Sequence, residues 1–310
     1  MPQSLMSKTT RGIDLNQPSI SALKDPLYER RNVQVSMLRL DEIHPVISGN
    51  KLFKLYYFLE EAKKSTYKPI ITFGGAYSNH LAATAFACKK NNLKCIAFVR
   101  GEKPAVLSST LLFCMESGMQ LEFLSRAAYQ NSTQGNFLQE LKKEYGNCIL
   151  IPEGGFSLQG ARGAALITRF LNETYCTHVC LAVGTATTFA GIINGSKNDC
   201  ETIGFSVLKN MNDIEKRLTE LQADSSKKHS VIGDYHFGGY AKKTKELISF
   251  MNHFYDQHKI PLDFVYTAKM MFGVNDLIQK KYFPPGSKIV CIHTGGLQGN
   301  NSLPEEVLNF

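Results

Sequence analysis

One lysine of this chain lies in a setting that suits covalent catalysis. Lys51 opens a stretch with apolar residues at helical spacing, and a polar turn, Ser78-Asn79-His80, follows further along the chain. A desolvated lysine amine can form a Schiff base, and the amides and hydroxyls at a helix N-terminus can bind a carboxylate. Taken alone, Lys51 is more simply a solvated helix residue, and Ser78 and Asn79 are good N-caps. Together they predict an enzyme that uses pyridoxal phosphate (PLP) on amino acids.

A threonine-rich turn is the candidate phosphate site. The turn Gly184-Thr185-Ala186-Thr187-Thr188 follows a strand-like run and precedes an apolar helical segment. Threonine hydroxyls and turn amides at a helix N-terminus suit a phosphate monoester. The sequence is neither a Walker A motif nor a GxGxxG fingerprint, so it gives little support to ATP or a dinucleotide.

Three other candidate residues are weak signals when each is taken singly. Tyr240 and Tyr266 fit ordinary packed tyrosines with paired hydroxyls. Thr294, before Gly295-Gly296, fits an ordinary loop residue. The segment 176–180 has cysteine, histidine and cysteine in alternation but lacks a second ligand pair, so no metal site is predicted.

The elements that must position these residues alternate along the chain. Helices are expected at Lys51–Lys64, Asn79–Lys90, Leu107–Ser117, Gly160–Phe170 and Lys242–His258. Alternating strands and helices predict an α/β protein with parallel, doubly wound sheets, whose ligands gather at the carboxyl ends of the strands. The predicted strands are Val33–Leu40, Pro69–Phe73, Cys95–Val99, Cys148–Ile151, His178–Val183, Thr202–Val207, Asp263–Tyr266 and Lys288–Ile292.

Composition sets the class and the expected location. The 310 residues are 43% hydrophobic and 20% charged, which is typical of a globular protein. No apolar run approaches the roughly 20 residues that span a bilayer, and the N-terminus has no secretory pattern. The eight cysteines read as reduced core residues. We therefore expect a cytoplasmic protein with no membrane partner.

The positive charge does not indicate nucleic-acid binding. Lysine and arginine total 35 against 27 acidic residues, and 35 − 27 gives a net charge of +8. The excess is dispersed over pairs such as Lys63-Lys64 and Lys142-Lys143, without an arginine stripe. Solvated helix faces and an anionic cofactor account for it, and no nucleic-acid partner is expected.

In order along the chain, these motifs resemble the PLP-dependent family that contains 1-aminocyclopropane-1-carboxylate (ACC) deaminase and D-cysteine desulfhydrase. The resemblance runs from about Val33 to Gly299. Its carriers are the segments Ser48–Leu55, Gly74–His80, Pro152–Gly155, Val183–Gly191, Tyr266–Lys269 and His293–Gly296.

The resemblance implies a tryptophan-synthase-β-like fold, fold type II, with the cofactor between two lobes. The large domain would comprise residues 1–52 and 162–310, and the small domain residues 53–161. The resemblance also suggests a homodimer.

The resemblance further implies a role for each candidate residue. Lys51 would hold PLP, Asn79 would bond its phenolic oxygen, residues 184–188 would hold its phosphate and Thr294 would lie near its pyridine nitrogen. Ser78, Asn79, His80, Tyr240 and Tyr266 would bind the amino-acid substrate. The catalytic residues would be Lys51, Ser78, Tyr240 and Tyr266.

Departures from the ACC deaminase pattern point to the substrate. At the positions of Thr267 and Thr294, ACC deaminases have a glutamate and a leucine, whereas D-cysteine desulfhydrases have threonine at both. A hydroxyl near the pyridine nitrogen makes PLP a weaker electron sink than a carboxylate does, which suffices for a thiolate leaving group. The basic stretch expected before the lysine is reduced to Leu38–Glu42, so the substrate side of this region is expected to differ.

The expected reaction is α,β-elimination that converts D-cysteine to pyruvate, ammonia and hydrogen sulfide. Three alternatives stay open. The same scaffold fits ACC deamination, or deamination or racemisation of another amino acid. It also fits a non-catalytic regulatory protein that binds PLP.

Overall fold

The computed structural model describes residues 9–10, 13–64, 68–132, 135–171, 174–197 and 199–310. The strands are β1 Thr9–Thr10, β2 Ile13–Asp14, β3 Ile20–Leu23, β4 Gln34–Arg39, β5 Ile70–Gly74, β6 Cys95–Arg100, β7 Met119–Leu124, β8 Ile149–Ile151, β9 His178–Val183, β10 Glu201–Ser206, β11 His229–Ile232 and β12 Lys288–His293. The α-helices are α1 Pro26–Arg30, α2 Asn50–Lys64, α3 Asn79–Lys90, α4 Ser109–Glu116, α5 Arg126–Asn131, α6 Gly135–Tyr145, α7 Leu158–Ala165, α8 Thr187–Gly195, α9 Ile214–Glu220, α10 Lys245–His258 and α11 Thr267–Gln279. Short 3-10 helices lie at Leu40–Glu42, Glu153–Gly155, Leu166–Leu171 and Leu297–Ser302.

Two parallel-rich sheets organise the described chain. The larger has six strands in the order β11-β10-β9-β12-β4-β3, and β3 pairs antiparallel to β4 while the other pairs are parallel. The smaller has four parallel strands in the order β7-β6-β5-β8. The α/β prediction is confirmed. The strands of the smaller sheet lie within the predicted small domain 53–161, whose boundaries stay a prediction.

Most predicted elements are present, with ends shifted by a residue or two. The predicted helix Gly160–Phe170 is α-helical only to Ala165 and continues as a 3-10 helix, and the predicted helix Lys242–His258 begins at Lys245. α3 has the predicted bounds, because Ser78 caps it by accepting a hydrogen bond from the Leu81 N–H. The unpredicted strands β3, β7 and β11 lie at or next to the outer edges of their sheets and are only partly buried. Such strands lack the continuous apolar runs of central parallel strands.

The predicted strand Asp263–Tyr266 is wrong. The buried carboxylate of Asp263 accepts hydrogen bonds from the N–H groups of Val265, Tyr266 and Thr267. These bonds fold the chain into a turn that starts α11. The apolar run from Leu262 to Tyr266 therefore forms core without forming a strand.

Close helix packing connects the sheets to the site. α7 packs against both α2 and α8, and the N-termini of α2 and α8 carry site residues. All eight cysteines are free thiols, and seven of them are buried. Within the described ranges, no helix combines the length and apolarity needed to cross a bilayer.

Candidate active site

The carboxyl ends of β5, β9 and β12 meet the N-terminus of α2 around two adjoining cavities. The smaller, of about 50 Å3, is lined by Asn50, Lys51, Lys54, Gly154, residues 182–189, Tyr266 and Thr294. The larger, of about 290 Å3, is lined by Lys51, Ser78, Asn79, His80, Arg100, Glu153, Gly154, Gly184, Thr185, Leu208, Arg217, Tyr240 and Tyr266. All the candidate residues line one or both. A groove of about 860 Å3 beside α2 and α7 contains none of them.

Lys51 lies where the two cavities join. Its Nζ donates to Asn50 Oδ1 at 2.8 Å and lies 5.6 Å from the centre of the Tyr266 ring. Burial lowers the pKa of Lys51 to about 8, although the negative charge of Asp263 opposes the shift. A substantial share of this amine is therefore neutral, and hence nucleophilic, near neutral pH.

A second buried lysine, Lys54, lies one turn along α2. The lowered pKa of Lys51 comes from burial and not from the charge of Lys54. Burial and the charge of Lys51 instead lower the pKa of Lys54 itself. The Lys54 Nζ donates to the Gly154 carbonyl at 2.9 Å and so ties α2 to the turn after β8.

A tight backbone joint fixes the start of α2. Gly49 has φ = 83°, and a Cβ there would lie 1.9 Å from the Thr294 carbonyl oxygen, so only glycine fits. The Asn50 N–H donates to this carbonyl at 3.1 Å, and Asn50 Nδ2 donates to Thr188 Oγ1 at 2.7 Å. Lys51 is thereby held against both the segment after β12 and the threonine-rich turn.

The turn between β9 and α8 has the features of a phosphate site. Ala186, the N-cap, has a left-handed φ of 67° and gives no side-chain cap to the helix. The first amides of α8 therefore remain available to an anion. The hydroxyls of Thr185 and Thr187 lie 3.0 Å apart and add further donors.

Asn79 has an unsatisfied polar atom at the site. Its Nδ2 donates to the Gly296 carbonyl at 3.3 Å, while its buried Oδ1 has no hydrogen-bond partner within the described chain. Leaving a buried acceptor unpaired costs about 1–3 kcal/mol. A group bound in the cavity would remove this cost.

Hydrogen bonds fix the tautomer of His80. The Thr72 hydroxyl donates to the Ile151 carbonyl at 2.9 Å, so its oxygen must accept from the His80 Nε2–H at 2.8 Å. Nδ1 is then an unprotonated acceptor, and it has no partner among the described residues. Burial and the charges of Lys54 and Lys51 lower the pKa of His80 to about 3. Its free nitrogen can accept a hydrogen bond from a donor in the cavity but has no proton to offer an anion.

The two tyrosines face one another across the larger cavity. The rings of Tyr240 and Tyr266 are 6.0 Å apart at 72°, so they pack edge to face. Burial, followed by the proximity of Tyr240, holds the pKa of Tyr266 well above its usual value. Tyr266 therefore keeps its proton at neutral pH and can donate it.

The sequence reasoning gave no role to three charged residues of the larger cavity. Arg100 ends β6 and stacks 5.5 Å from the Tyr129 ring, and Arg217 in α9 pairs with Asp213 at 2.8 Å. Glu153 lies in the segment Pro152–Gly155, which contributed to the family resemblance without a role for this carboxylate. A charged residue directly after the predicted strand Cys95–Val99 was an available signal for Arg100, but nothing local marks Arg217.

Thr267 does not line either cavity. Its hydroxyl donates to Asp263 Oδ2 at 2.7 Å and accepts from the Asp263 N–H at 2.8 Å. Thr267 and Thr294 were both expected to indicate the substrate, but of the two only Thr294 lines the smaller cavity. Thr267 stabilises the turn before α11.

The fold and this site define the class of protein. Residues 25–295 match the family model described as pyridoxal-phosphate dependent enzyme, so the chain belongs to that family. The Lys51 amine, the anion turn at 184–188 and the orphaned Asn79 oxygen fit PLP. The predicted cofactor and the fold type II architecture are confirmed.

Similar proteins indicate which group within this family the chain resembles. A Pyrococcus abyssi protein whose name provisionally assigns it as an ACC deaminase is 31% identical, over 85% of this chain and 84% of its own. A Thermotoga maritima protein with the same provisional name is 30% identical, over 93% and 96%. The crystal structure titled as an ACC deaminase homologue matches with a TM-score of 0.78 at 26% identity, covering 92% of this chain and 91% of that one. The resemblance to the ACC deaminase group is confirmed.

Proposed function

We propose that this protein is a PLP-dependent lyase that removes a β-substituent from a small amino acid, with D-cysteine as its preferred substrate. One observation carries the proposal. The Lys51 amine, the carboxylate-binding turn at Ser78 and the tyrosine pair all face one cavity of about 290 Å3 beside the phosphate turn. A cavity of this size suits a small amino acid.

The side chains divide the proton transfers between them. When bound, PLP supplies the electron sink that stabilises the charge left on Cα. The first amides of α3 and the Ser78 hydroxyl would bind and orient the substrate carboxylate. The Lys51 amine, with a pKa of about 8, would take the α-proton, assisted by Ser78. Tyr240 or Tyr266 would donate a proton to the departing sulfur.

Thr294 bears on which leaving group the site favours. A threonine, and not a carboxylic acid, lines the described part of the small cavity at the end of β12. A hydroxyl there favours a substrate with a good leaving group, such as a thiolate. The names of the relatives support ACC deamination as the second candidate.

A substrate panel tests the proposal. Purified PLP-loaded protein is incubated with D-cysteine, L-cysteine, D-serine and ACC, and release of 2-oxo acid is measured. We expect D-cysteine to give the highest kcat/KM, with sulfide released in equal amount. We expect Lys51→Ala to lose the visible absorbance of bound PLP and at least about 10³-fold of kcat.

The matched control is Lys64→Ala, at the exposed end of the same helix, which should keep both properties. Turnover of ACC above that of D-cysteine would replace the preferred substrate with the second candidate. Bound PLP without turnover of any amino acid would indicate a non-catalytic binding protein.

Assembly, location and domain limits are proposals of the same kind. We propose a cytoplasmic homodimer with domains at residues 1–52 with 162–310 and at 53–161. The resemblance to the ACC deaminase group supports it. Sedimentation at micromolar concentration that gives the 34.6 kDa monomer mass alone would reject the dimer.

A further inference from the structure

The loop that carries Tyr240 has an unusual backbone. Phe237 and Ala241 have φ of 51° and 54°, and Gly238 and Gly239 between them have φ of 92° and 116°. Left-handed conformations at residues other than glycine cost energy and persist only where the surroundings hold them. Since Tyr240 itself is 48% exposed, its own packing holds the loop only in part.

A fully buried lysine binds this loop from below. Lys269 has no exposed surface, and its Nζ donates to the carbonyls of His236 at 2.9 Å and Gly239 at 2.8 Å. The same two carbonyls accept the backbone N–H groups of Gly239 and Lys242, which form the turns on either side of Tyr240. The Lys269 side chain therefore contacts both turns at their shared acceptors.

Lys269 and Tyr266 belong to one element. Tyr266 is the N-cap of α11 and Lys269 lies in the first turn of that helix. The helix thus places Tyr266 directly and contacts the Tyr240 loop through Lys269. These two connections flank the tyrosine pair, whose rings are 6.0 Å apart.

We propose that Lys269 is a positioning residue that holds the Tyr240 loop so that the Tyr240 hydroxyl meets Tyr266 over the substrate cavity. The catalytic consequence rests on the proposed function, whereas the position of the loop does not depend on it. Lys269→Met keeps the length of the side chain and removes all its donors. The partly buried His236 carbonyl and the buried Gly239 carbonyl would then each lose a partner, and the loop would leave its strained conformation.

A fluorescence reporter tests the position of the loop without any turnover. The chain contains no tryptophan, so Tyr240→Trp introduces a single emitter into this loop. Adding Lys269→Met should raise the acrylamide quenching constant at least about twofold and shift emission to the red, because the loop opens to solvent. Adding Lys242→Met, at an exposed lysine of the same loop, should change neither.

Unchanged quenching in the Lys269→Met background would overturn the proposal whatever the kinetics show. Should that variant fail to fold, Lys269→Gln serves instead, since its amide keeps two N–H donors on a shorter stem. Quenching above that of the parent supports the role of Lys269, because the shorter side chain cannot reach both carbonyls, and quenching equal to the parent overturns it.

Kinetics test the catalytic consequence separately. In the substrate assay, Lys269→Met and Tyr240→Phe should each lower kcat by about 10²-fold, the size of a lost proton donor. The double variant should lose no more than about threefold beyond the worse single variant, because both changes remove one contribution. PLP absorbance should persist in all three. Losses of kcat that multiply in the double variant would show that Lys269 acts independently of Tyr240. An unchanged kcat in Tyr240→Phe would reject the proposed role of that tyrosine, and the fluorescence result alone would then decide whether Lys269 holds the loop.

Discussion

At the scale of single residues, the reactivity of Lys51 comes from its surroundings. Its Nζ lies 2.8 Å from an amide oxygen and 5.6 Å from the centre of an aromatic ring, and neither group carries a charge that would hold a proton on the amine. Burial lowers its pKa to about 8, so about a tenth of the amine is neutral at pH 7, against less than about one part in a thousand for a free lysine. Nucleophilic capture of an aldehyde requires the neutral form.

The pH dependence of cofactor capture follows from this pKa. We expect the rate at which the apoprotein binds PLP covalently to rise with pH and to level off above about pH 8. The sign follows because raising the pH deprotonates the amine, and the gain stops once deprotonation is complete. The visible absorbance after mixing with PLP measures the rate, with Lys51→Ala as the blank. A rise that continued to pH 10 would contradict the lowered pKa.

At the scale of elements, the phosphate turn depends on one left-handed residue. Ala186 is buried and has φ = 67°. Its left-handed backbone directs the first amides of α8 into the cavity. An L-residue in this conformation costs about 1–2 kcal/mol, and a β-branched residue costs more. The turn therefore holds its shape against an intrinsic preference for right-handed backbone.

Two substitutions at Ala186 separate backbone conformation from chemistry. Ala186→Val should lower the free energy of unfolding by about 1–3 kcal/mol and weaken PLP binding, because valine disfavours positive φ and adds volume to a buried site. Ala186→Gly should keep PLP affinity, because glycine adopts this conformation freely. Denaturant unfolding and PLP titration measure both properties. Equal behaviour of the two variants would show that the left-handed turn is not required.

At the scale of the whole molecule, the site exists because helices from different parts of the chain approach closely. Gly163 in α7 contacts the α2 backbone, and a Cβ there would lie 2.1 Å from the Phe53 carbonyl oxygen. α7 in turn packs on α8, whose N-terminus is the phosphate turn. The separation of Lys51 from that turn is therefore set by packing among α2, α7 and α8.

A pair of helical glycines tests this packing. Gly163→Ala should lower the free energy of unfolding by about 1–3 kcal/mol and reduce the fraction of protein that retains PLP, because α2 must move away. Gly135 lies in α6, and a Cβ at this position would meet no atom of the described residues within 4 Å apart from its chain neighbours. Gly135→Ala should be neutral or stabilise by up to about 1 kcal/mol. Chemical denaturation followed by measurement of bound PLP compares them, and equal losses would reject the packing argument.

Local sequence determined much of the fold and part of the site. The Ser78 cap fixed the start of α3, and the central strands such as β9 and β12 were readable as apolar runs that are buried on both faces. Lys51 and the turn at 184–188 were identifiable in the same way, since each follows a strand or begins a helix, whereas Thr294 was a weak local signal whose role came from the family resemblance. Side-chain competition for backbone groups was not readable, and for that reason the Asp263 turn was mistaken for a strand.

The alternating α/β pattern, the lysine and the phosphate turn are encoded locally in the chain, because those signals lie within a few neighbouring residues. The groups that surround them are set by the tertiary structure. It lowered the Lys51 pKa by burial, left the Asn79 oxygen without a partner, and directed Lys269 to the Tyr240 loop. Burial and convergence depend on residues distant in sequence, and the hydrogen bond from Lys269 to the Gly239 carbonyl, 30 positions away in the chain, is one such case.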